Sequence, residues 1–355
     1  MCCIAELYVD LNAIKCNIDR LKQLLNNNQK LCFIAKANCY GLGDEKICKF
    51  LNGCVDYFAV SCESEFLRIK KHVTKPILIL NPIYKNITKL AWLNAEFCCS
   101  NFESLNAILK CAEKNKNINF KIHIAVNTGM NRLGFSEKED VFKVINILEK
   151  TQNISIIGVF THYYHANNKN IAEMQFLKFA ELKEKINYNF PNNQLIFHLA
   201  SSYGVIFKNG FDMARVGYLA YEDSVFSTIK LCAKIIDLQV LQTGDTAGYE
   251  GVFVATKETK IAILQIGYAD GIFRNIVNNG YVLINNNFAK IVAICMDSML
   301  VDVSKISCKI GDDAVLIGKD KTKQIFICDV AGWCDTIGYE IISKLSFRIN
   351  RKYLR

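Results

Sequence analysis

Residues 31–43 read LCFIAKANCYGLG, an apolar run that ends in a lysine and continues into a loop with two glycines. Seven more short apolar runs follow it up to residue 218, and the stretches between them are long enough to hold helices. These runs are YFAV (57–60), PILIL (76–80), EFCCS (96–100), FKIHIAV (120–126), ISIIGVF (154–160), LIFHLA (195–200) and MARVGY (213–218). Apolar strands that alternate with helices are typical of a parallel sheet covered by helices. Eight such units predict an α/β fold with a (β/α)8 TIM-type barrel over residues 1–225, because a doubly wound open sheet shares the local pattern but not the strand count.

The pattern changes after about residue 225, where strand-like runs follow each other closely with Gly and Asn between them. The runs are KLCAKIIDLQVL (230–241), KIAILQIGY (260–268), GYVLINNN (280–287), AKIVAIC (289–295), AVLIGK (314–319) and QIFICDV (324–330). Closely spaced strands joined by turn residues are typical of antiparallel β structure. We therefore predict a second, mainly antiparallel β domain over residues 226–355, without helices until about residue 335.

Composition restricts the class of protein. The 355 residues are 51% hydrophobic, so the chain can bury a large core and global disorder is excluded. No apolar run reaches ~18 residues, which argues against a membrane span. Glu6 and Asp10 interrupt the apolar core that a signal peptide needs, so we expect a cytoplasmic protein. The net charge of +9 is spread along the chain, which argues against nucleic-acid binding and suits a small anionic ligand.

The 16 cysteines lie mostly inside apolar stretches and form no C-x2-C pair. Thiols in such positions behave as small buried hydrophobes in a reducing compartment. We expect reduced cysteines and no metal site, since the 5 histidines are also scattered.

Several polar residues follow the predicted barrel strands, at the end of a barrel where active sites lie. Lys36 ends the first strand, and burial there would lower the pKa of its amine and suit it to bond a carbonyl carbon. Arg132, in the loop after strand five, can hold a carboxylate, and His162 follows strand six. Taken singly, each has an ordinary alternative, namely a lysine that reaches solvent, a surface arginine and a structural histidine.

A phosphate is expected at the loops after strands seven and eight, where barrels often bind one. These loops contain Ser201-Ser202 and Arg215-Val-Gly217-Tyr218. Serine and glycine are also common in loops that bind nothing.

Eight segments, in this order, resemble the fold-type III enzymes that depend on pyridoxal phosphate (PLP), and specifically the alanine racemase family. The match extends over nearly the whole chain. The segments are Ala35-Lys36-Ala-Asn-Cys-Tyr40-Gly-Leu-Gly, Asn127-Thr-Gly-Met-Asn-Arg132-Leu-Gly, Thr161-His162, His198-Leu-Ala-Ser-Ser202, Asp212-Met-Ala-Arg215-Val-Gly217, Gly248-Tyr249, Ile266-Gly-Tyr-Ala-Asp-Gly271 with Ile294-Cys-Met296-Asp297, and Thr336-Ile-Gly-Tyr339-Glu-Ile.

The resemblance implies a role for each matching residue. Lys36 and Tyr249 would be the two catalytic bases, Lys36 for D-alanine and Tyr249 for L-alanine, and Lys36 would also bind the cofactor covalently. Arg132 and Met296 would contact the substrate. The implied cofactor ligands are Tyr40, Ser202, Gly217, Tyr218 and Tyr339 at the phosphate, His162 at the ring and Arg215 at the pyridine nitrogen.

The resemblance also implies a homodimer with shared active sites, in which Tyr249 and Met296 come from the partner's β domain. The expected function is the interconversion of L- and D-alanine, supplying D-alanine for peptidoglycan. Open alternatives are a racemase of broader specificity, a non-catalytic PLP carrier and a decarboxylase of the same fold type. Tyr339 should crowd out larger side chains, and a carrier needs no second base.

Four positions depart from the family pattern: Leu42, Ala125, Asn127 and Glu250. Many relatives carry a carbamylated lysine where this chain has Ala125, and an aspartate where it has Asn127. Since a buried, unpartnered Arg132 would be costly, we expect a small anion beside it, with the Asn127 amide donating to that anion. A carboxylate such as Glu250 is the alternative.

Overall fold

The computed structural model describes residues 5–26, 28–199, 211–222 and 227–355. The chain divides into two compact units. The barrel unit comprises Ile18–Cys39 and Asp44–Ala220, and the β unit comprises Met1–Asn17, Tyr40–Gly43 and Tyr221–Arg355. Within the described ranges, no helix has the length and apolar character needed to cross a membrane.

The first strand, β1 (Ala5–Asp10), belongs to the β unit, and the next eight form a parallel, nearly closed barrel in the order β8-β7-β6-β5-β4-β3-β2-β9. The barrel strands are β2 (Lys30–Ile34), β3 (Tyr57–Val60), β4 (Ile77–Ile79), β5 (Ala95–Cys99), β6 (Phe120–Ala125), β7 (Ile154–Phe160), β8 (Ile196–His198) and β9 (Met213–Val216). Every apolar run predicted as a barrel strand is therefore confirmed.

Helices alternate with these strands, as the sequence pattern predicts. They are α1 (Leu11–Gln23), α2 (Asp44–Leu51), α3 (Glu63–Lys70), α4 (Ile87–Trp92), α5 (Phe102–Lys114), α6 (Lys138–Glu149) and α7 (Lys169–Asn189). Each buries an apolar stripe, as α6 does with Val141, Val144, Ile145 and Leu148. Strands β3 and β5 are buried at every residue, because helices cover one face and the barrel interior the other.

Asp212 joins strand β8 to strand β9. Its backbone N–H donates to the Phe197 carbonyl at 2.8 Å, and its side chain accepts the Phe197 N–H at 2.8 Å. Its own carbonyl accepts the Lys30 N–H at 2.9 Å. One residue thus connects β8, β9 and β2 where the barrel closes.

The β unit contains a nine-stranded sheet in the order β18-β17-β14-β15-β16-β13-β10-β1-β19, with a further β17–β10 pairing. Besides β1, its strands are β10 (Ile229–Leu241), β13 (Thr259–Leu264), β14 (Tyr281–Ile284), β15 (Asn287–Ile294), β16 (Met299–Asp302), β17 (Asp313–Asp320), β18 (Lys323–Ile325) and β19 (Asn350–Leu354). A small hairpin adds β11 (Thr246–Ala247) and β12 (Phe253–Val254). All described pairings in the unit are antiparallel except that of β1 with β19.

Two details differ from the sequence pattern. Strand β1 lies within residues 1–225 but pairs with β10 and β19, and its alternating burial suits a sheet with one covered face rather than a barrel strand. The run QIFICDV contains only the end of β18 before helix α8 (Ile327–Trp333) begins, so the prediction of no helix before residue 335 is wrong. Asp329 explains the early start, because its side chain accepts the Phe326 N–H at 2.8 Å. Helix α9 (Gly338–Ser343) follows.

The 14 cysteines in the described ranges are free thiols. Burial raises the pKa of several of them, including Cys99 to about 12 and Cys334 to about 11. No group of three or more His, Cys, Asp or Glu side chains with metal-binding geometry occurs among the described residues.

Candidate active site

Lys36 lies two residues beyond Ile34, the last residue of strand β2, at the carboxyl end of the barrel. It is partly buried, and burial lowers the pKa of its amine. The positive charges of Arg132 and Arg215 lower this pKa further, whereas Glu65 opposes the shift. The amine is therefore easier to deprotonate than an ordinary lysine, as nucleophilic and proton-accepting roles require.

The backbone after Lys36 forms a left-handed turn, Lys36–Tyr40. Ala37, Asn38 and Cys39 have φ values of 52°, 56° and 50°, a region that non-glycine residues occupy at a cost of about 1–2 kcal/mol each. Glu65 stabilises this turn, because its carboxylate accepts the Ala37 N–H at 2.7 Å. Its other oxygen accepts the Ser61 N–H at 2.7 Å and the Ser61 hydroxyl at 2.8 Å.

Arg215, on strand β9, is 4% exposed and makes five hydrogen bonds to described residues of the barrel unit. Its Nη1 donates to His198 Nδ1 at 2.7 Å and to the His198 carbonyl at 3.0 Å. Its Nη2 donates to the Thr161 carbonyl at 2.6 Å, to His162 Nδ1 at 3.1 Å and to the Leu199 carbonyl at 3.4 Å. Burial lowers its pKa to about 10, so the guanidinium stays protonated at neutral pH.

His162, after strand β7, is neutral at ordinary pH. Burial and the charges of Arg215, Arg132 and Lys36 lower its pKa to about 3. Because Arg215 donates to Nδ1, the proton of the neutral ring is on Nε2. Gln175 holds this segment, since its amide donates to the His162 carbonyl at 3.1 Å and to Thr128 Oγ1 at 2.9 Å.

The loop that carries Arg132 is organised by Asn127. The Asn127 side-chain oxygen accepts the N–H groups of Gly129 and Asn131, both at 3.0 Å. Its amide donates to Asn131 Oδ1 at 2.9 Å and to Ser136 Oγ at 3.1 Å. Arg132 itself is exposed in the single chain, and no hydrogen bond or ion pair joins it to a described residue.

The predicted phosphate ligands fall in three places. Gly217 and Tyr218 follow strand β9 in the barrel unit, and both are buried. Tyr40 and Tyr339 belong to the β unit, where their ring centroids are 6.0 Å apart. Ser202 lies outside the described residues.

The predicted partner-side residues, Tyr249 and Met296, lie in the β unit and are 55% and 48% exposed. Tyr249 begins the short helical turn Tyr249–Gly251, after Gly248. Gly248 has φ +78°, and a Cβ there would lie 2.7 Å from the Ala293 Cβ, so this position requires glycine.

Two family models divide the chain between them. The model described as "Alanine racemase, N-terminal domain" matches residues 9–225, and "Alanine racemase, C-terminal domain" matches residues 228–353. The chain belongs to the alanine racemase family. The resemblance seen in the sequence motifs is therefore confirmed, and so is the expected fold of an N-terminal TIM-type barrel followed by a mainly antiparallel β domain.

Individual alanine racemases match over almost their whole length. Those of Lactococcus lactis subsp. lactis (strain IL1403) and Methanococcus maripaludis are each 31% identical, covering 97% and 98% of this chain and 96% and 97% of the relatives. The solved alanine racemases of Bacillus anthracis, with bound L-Ala-P, and Clostridium difficile 630 have TM-scores of 0.91 and 0.90. They are 26% and 27% identical, and both cover 99% of this chain and 95% of the solved chain. The chain is thus an alanine-racemising enzyme.

The structure shows the surroundings of three of the departures from the alanine racemase pattern. Ala125 is buried in an apolar cluster with Cys98, Phe160 and Leu80. Glu250 has φ 58°, a left-handed conformation that explains why glycine suits this position. Leu42 is fully buried.

The expectation of an anion at Arg132 rested on a free donor at the Asn127 amide and on burial of Arg132, and the structure shows neither in the single chain. Both N–H groups of the Asn127 amide are used within the loop, so the prediction that this amide donates to an anion is wrong. Arg132 is also exposed rather than buried in the single chain, so the expected cost of an unpartnered buried charge does not arise there.

Sequence reasoning missed several polar residues that hold the site. Glu65, Gln175, Glu96 and His123 are each 7% exposed or less and hydrogen-bonded. Glu96 and His123 carry a visible signal, because each is a titratable side chain inside an otherwise apolar barrel strand. Glu65 and Gln175 lie on amphipathic helices, where a polar residue attracts no notice.

Proposed function

We propose that this enzyme racemises alanine with PLP bound at Lys36, by a two-base mechanism, and so supplies D-alanine for peptidoglycan. The observation that carries the proposal is the electrostatic cluster in the barrel unit. At the carboxyl end of the strands, the charges of Arg132 and Arg215 lower the pKa of Lys36, and the charges of Arg215, Arg132 and Lys36 lower that of His162. An amine of lowered pKa beside the positive charges of Arg132 and Arg215 suits a doubly anionic aldehyde cofactor.

The residues present fit PLP. Lys36 would hold the cofactor covalently, Arg215 would donate to the pyridine nitrogen, and His162 would pack on the ring. Tyr40, Ser202, Gly217, Tyr218 and Tyr339 would hold the phosphate. When bound, the cofactor acidifies the α-hydrogen of alanine, because the electron pair left behind is delocalised into its ring.

Each protein group then has a distinct task in moving the proton. Lys36 can accept a proton at Nζ because its pKa is lowered, and we assign it to D-alanine. The Tyr249 hydroxyl serves L-alanine from the opposite face. Arg215 keeps its proton, since its pKa of about 10 lies well above neutral pH, and it therefore donates a hydrogen bond without transferring the proton. Arg132 would hold the alanine carboxylate.

A second copy of the chain would complete each site. Tyr249 and Met296 are more than 45% exposed in the single chain. The exposure of residues with an expected role in catalysis is explained if a partner protomer covers them. A homodimer with two shared sites follows from this assignment.

Incubation of purified protein with PLP and L-alanine in D2O tests the proposal. Optical rotation should decay to zero, and deuterium should appear at the α-carbon at a comparable rate. A racemase of broader specificity would act on L-serine at a similar rate, whereas a PLP carrier would leave both signals unchanged. Deuteration without loss of rotation would contradict the two-base mechanism, because only one face would exchange.

A further inference from the structure

A continuous chain of buried hydrogen bonds runs through the interior of the barrel from Arg215 to a carboxylate. Arg215 Nη1 lies 2.7 Å from His198 Nδ1, and His198 Nε2 lies 3.0 Å from His123 Nδ1. His123 Nε2 lies 2.8 Å from Glu96 Oε2. The four residues come from strands β9, β8, β6 and β5, and none is more than 4% exposed.

Because one end of this hydrogen-bond chain is a guanidinium, every bond in it can have only one donor and one acceptor assignment. A guanidinium has donors and no acceptor, so His198 Nδ1 must accept and His198 Nε2 must carry the proton. That proton points at His123 Nδ1, which must therefore accept, and His123 Nε2 then donates to Glu96. Both histidines are neutral in this arrangement, in agreement with the burial and the Arg215 charge that lower the pKa of His198 well below its ordinary value.

The surrounding barrel is shaped to hold the two rings. A Cβ on Gly158, in strand β7, would lie 2.9 Å from His123 Nδ1, so only glycine leaves room for this imidazole. The register of β6 against β7 shifts between Ile122 and His123, as in a β-bulge. Phe160 stacks on the His198 ring at 5.0 Å with an interplanar angle of 15°.

We propose that Glu96 is a positioning residue that acts on Arg215 through His123 and His198. Its carboxylate terminates the chain, fixes which nitrogen of each ring carries the proton, and supplies a negative charge inside the barrel that holds Arg215. This inference rests on the proposed function, because Arg215 is the group assigned to the pyridine nitrogen. Glu96 itself does not touch substrate or cofactor.

The physical reason is the cost of an arginine inside a barrel. Barrel interiors are usually filled with branched apolar side chains. A buried guanidinium needs acceptors and a counter-charge, and the Arg215 hydrogen bonds to described residues end on carbonyls and imidazoles. Because hydrogen bonds in a chain polarise one another, removal of the Glu96 charge should weaken the His198–Arg215 contact two bonds away.

The direction of the chain is tested by 15N NMR of histidine-labelled wild-type protein without cofactor. The protein has only 5 histidines, so the spectrum is simple. His123 and His198 should both be neutral and protonated at Nε2. A His198 ring protonated at Nδ1 would overturn the proposal, and this readout does not depend on whether the protein racemises alanine.

The effect of Glu96 on Arg215 through the two histidines is tested with Glu96→Gln, which keeps the shape of the side chain and an acceptor but removes the charge. The His123 Nε2–H resonance should move upfield, and the His198 Nε2–H resonance should move in the same direction although His198 does not touch residue 96. In the PLP-loaded enzyme, kcat should fall about tenfold while the KM for alanine changes less than about twofold. Glu96→Asp should recover most of the lost kcat.

Asp56→Asn is the control, because it removes a carboxylate of the barrel unit that lies outside the chain of imidazoles. The Asp56 carboxylate accepts the Leu31 N–H at 2.8 Å. Asp56→Asn should leave the His198 resonance and kcat unchanged. If Glu96→Gln gives the same His198 resonance and kcat as this control, Glu96 only anchors His123 and the proposal fails. If Glu96→Gln does not fold, the wild-type tautomers and the kcat and His198 resonance of Glu96→Asp decide the question. Absence of racemase activity in the wild-type protein would instead contradict the proposed function.

Discussion

The carboxylate of Glu65 accepts the backbone N–H of Ala37 at 2.7 Å, so a helix residue holds the peptide that follows Lys36. This contact accounts for a turn that is otherwise unfavourable, because Ala37 has φ 52°. The same carboxylate raises the pKa of Lys36 against the effects of burial and of the two arginines. Glu65 therefore supports the turn after Lys36 and limits the lowering of the Lys36 pKa.

Glu65→Gln should destabilise the protein by about 1–3 kcal/mol, because a charge-assisted acceptor of three hydrogen bonds becomes a neutral amide. The midpoint of the pH dependence of PLP capture by Lys36 should also move to lower pH, since the charge that raises this pKa is lost. Denaturant unfolding and capture rates across pH measure the two effects. Glu63→Gln, the same change in the first turn of helix α3, is the control and should show neither. An unchanged capture midpoint in Glu65→Gln would contradict the electrostatic role.

The barrel could be predicted from the sequence because its strands are apolar on both faces. Each run of four to seven apolar residues stands out against the polar loops, and all eight runs coincide with strands. Strand β1 could not be assigned in the same way, because its pairing with β10 depends on residues more than 200 positions away. Helix α8 was missed because QIFICDV is as apolar as a strand and only the contact of Asp329 with the Phe326 N–H marks its start.

The residues of the candidate site also divide into those that the sequence indicates and those that it does not. Lys36, Arg132 and His162 could be found because they follow strands, at the end of a barrel where function is expected. Arg215, predicted in a loop after a strand, lies on strand β9 itself. Glu96 could not be assigned a partner, because nothing local in EFCCS indicates His123 on the next strand. The surroundings of Ala125 could not be predicted either, because its packing against Cys98 and Phe160 depends on the fold and not on the composition.

Tyr249→Phe should affect the two directions of racemisation unequally. The variant keeps Lys36, so hydrogen exchange at the α-carbon of D-alanine should survive, whereas exchange from L-alanine should fall by about two orders of magnitude or more, the typical contribution of a positioned acid or base. Proton NMR in D2O follows both reactions separately. Equal loss for both enantiomers would show that Tyr249 positions the substrate and is not a base. Tyr281→Phe, on strand β14, is the control and should leave both rates unchanged.

Folding stability should depend on pH through His162. The unfolded state binds a proton near pH 6.5, whereas the folded state does so only near about 3. Between these values the unfolded state holds more protons, so the free energy of unfolding falls as the pH falls, with a slope of about 1.4 kcal/mol per pH unit for one group. His162→Gln should remove this contribution and leave that of His198, whose pKa is lowered in the same direction.

Denaturant unfolding of wild type, His162→Gln and His165→Gln between about pH 6 and pH 4 measures this slope. His165 is exposed and serves as the control, so its variant should follow wild type. An identical slope in wild type and His162→Gln would mean that His162 is not held neutral by the fold.

Mixing two inactive variants tests whether the active site is shared between protomers. Lys36 belongs to the barrel unit and Tyr249 to the β unit, and the proposed dimer combines each Lys36 with the Tyr249 of the partner. A hetero-dimer of Lys36→Ala and Tyr249→Ala protomers then contains one site with both bases and one with neither. Random exchange of equal amounts should restore about a quarter of the wild-type activity, since half of the dimers carry one intact site of two. Activity must appear at the rate of subunit exchange, followed with two affinity tags. Mixtures that exchange fully and stay inactive would place both bases on one chain.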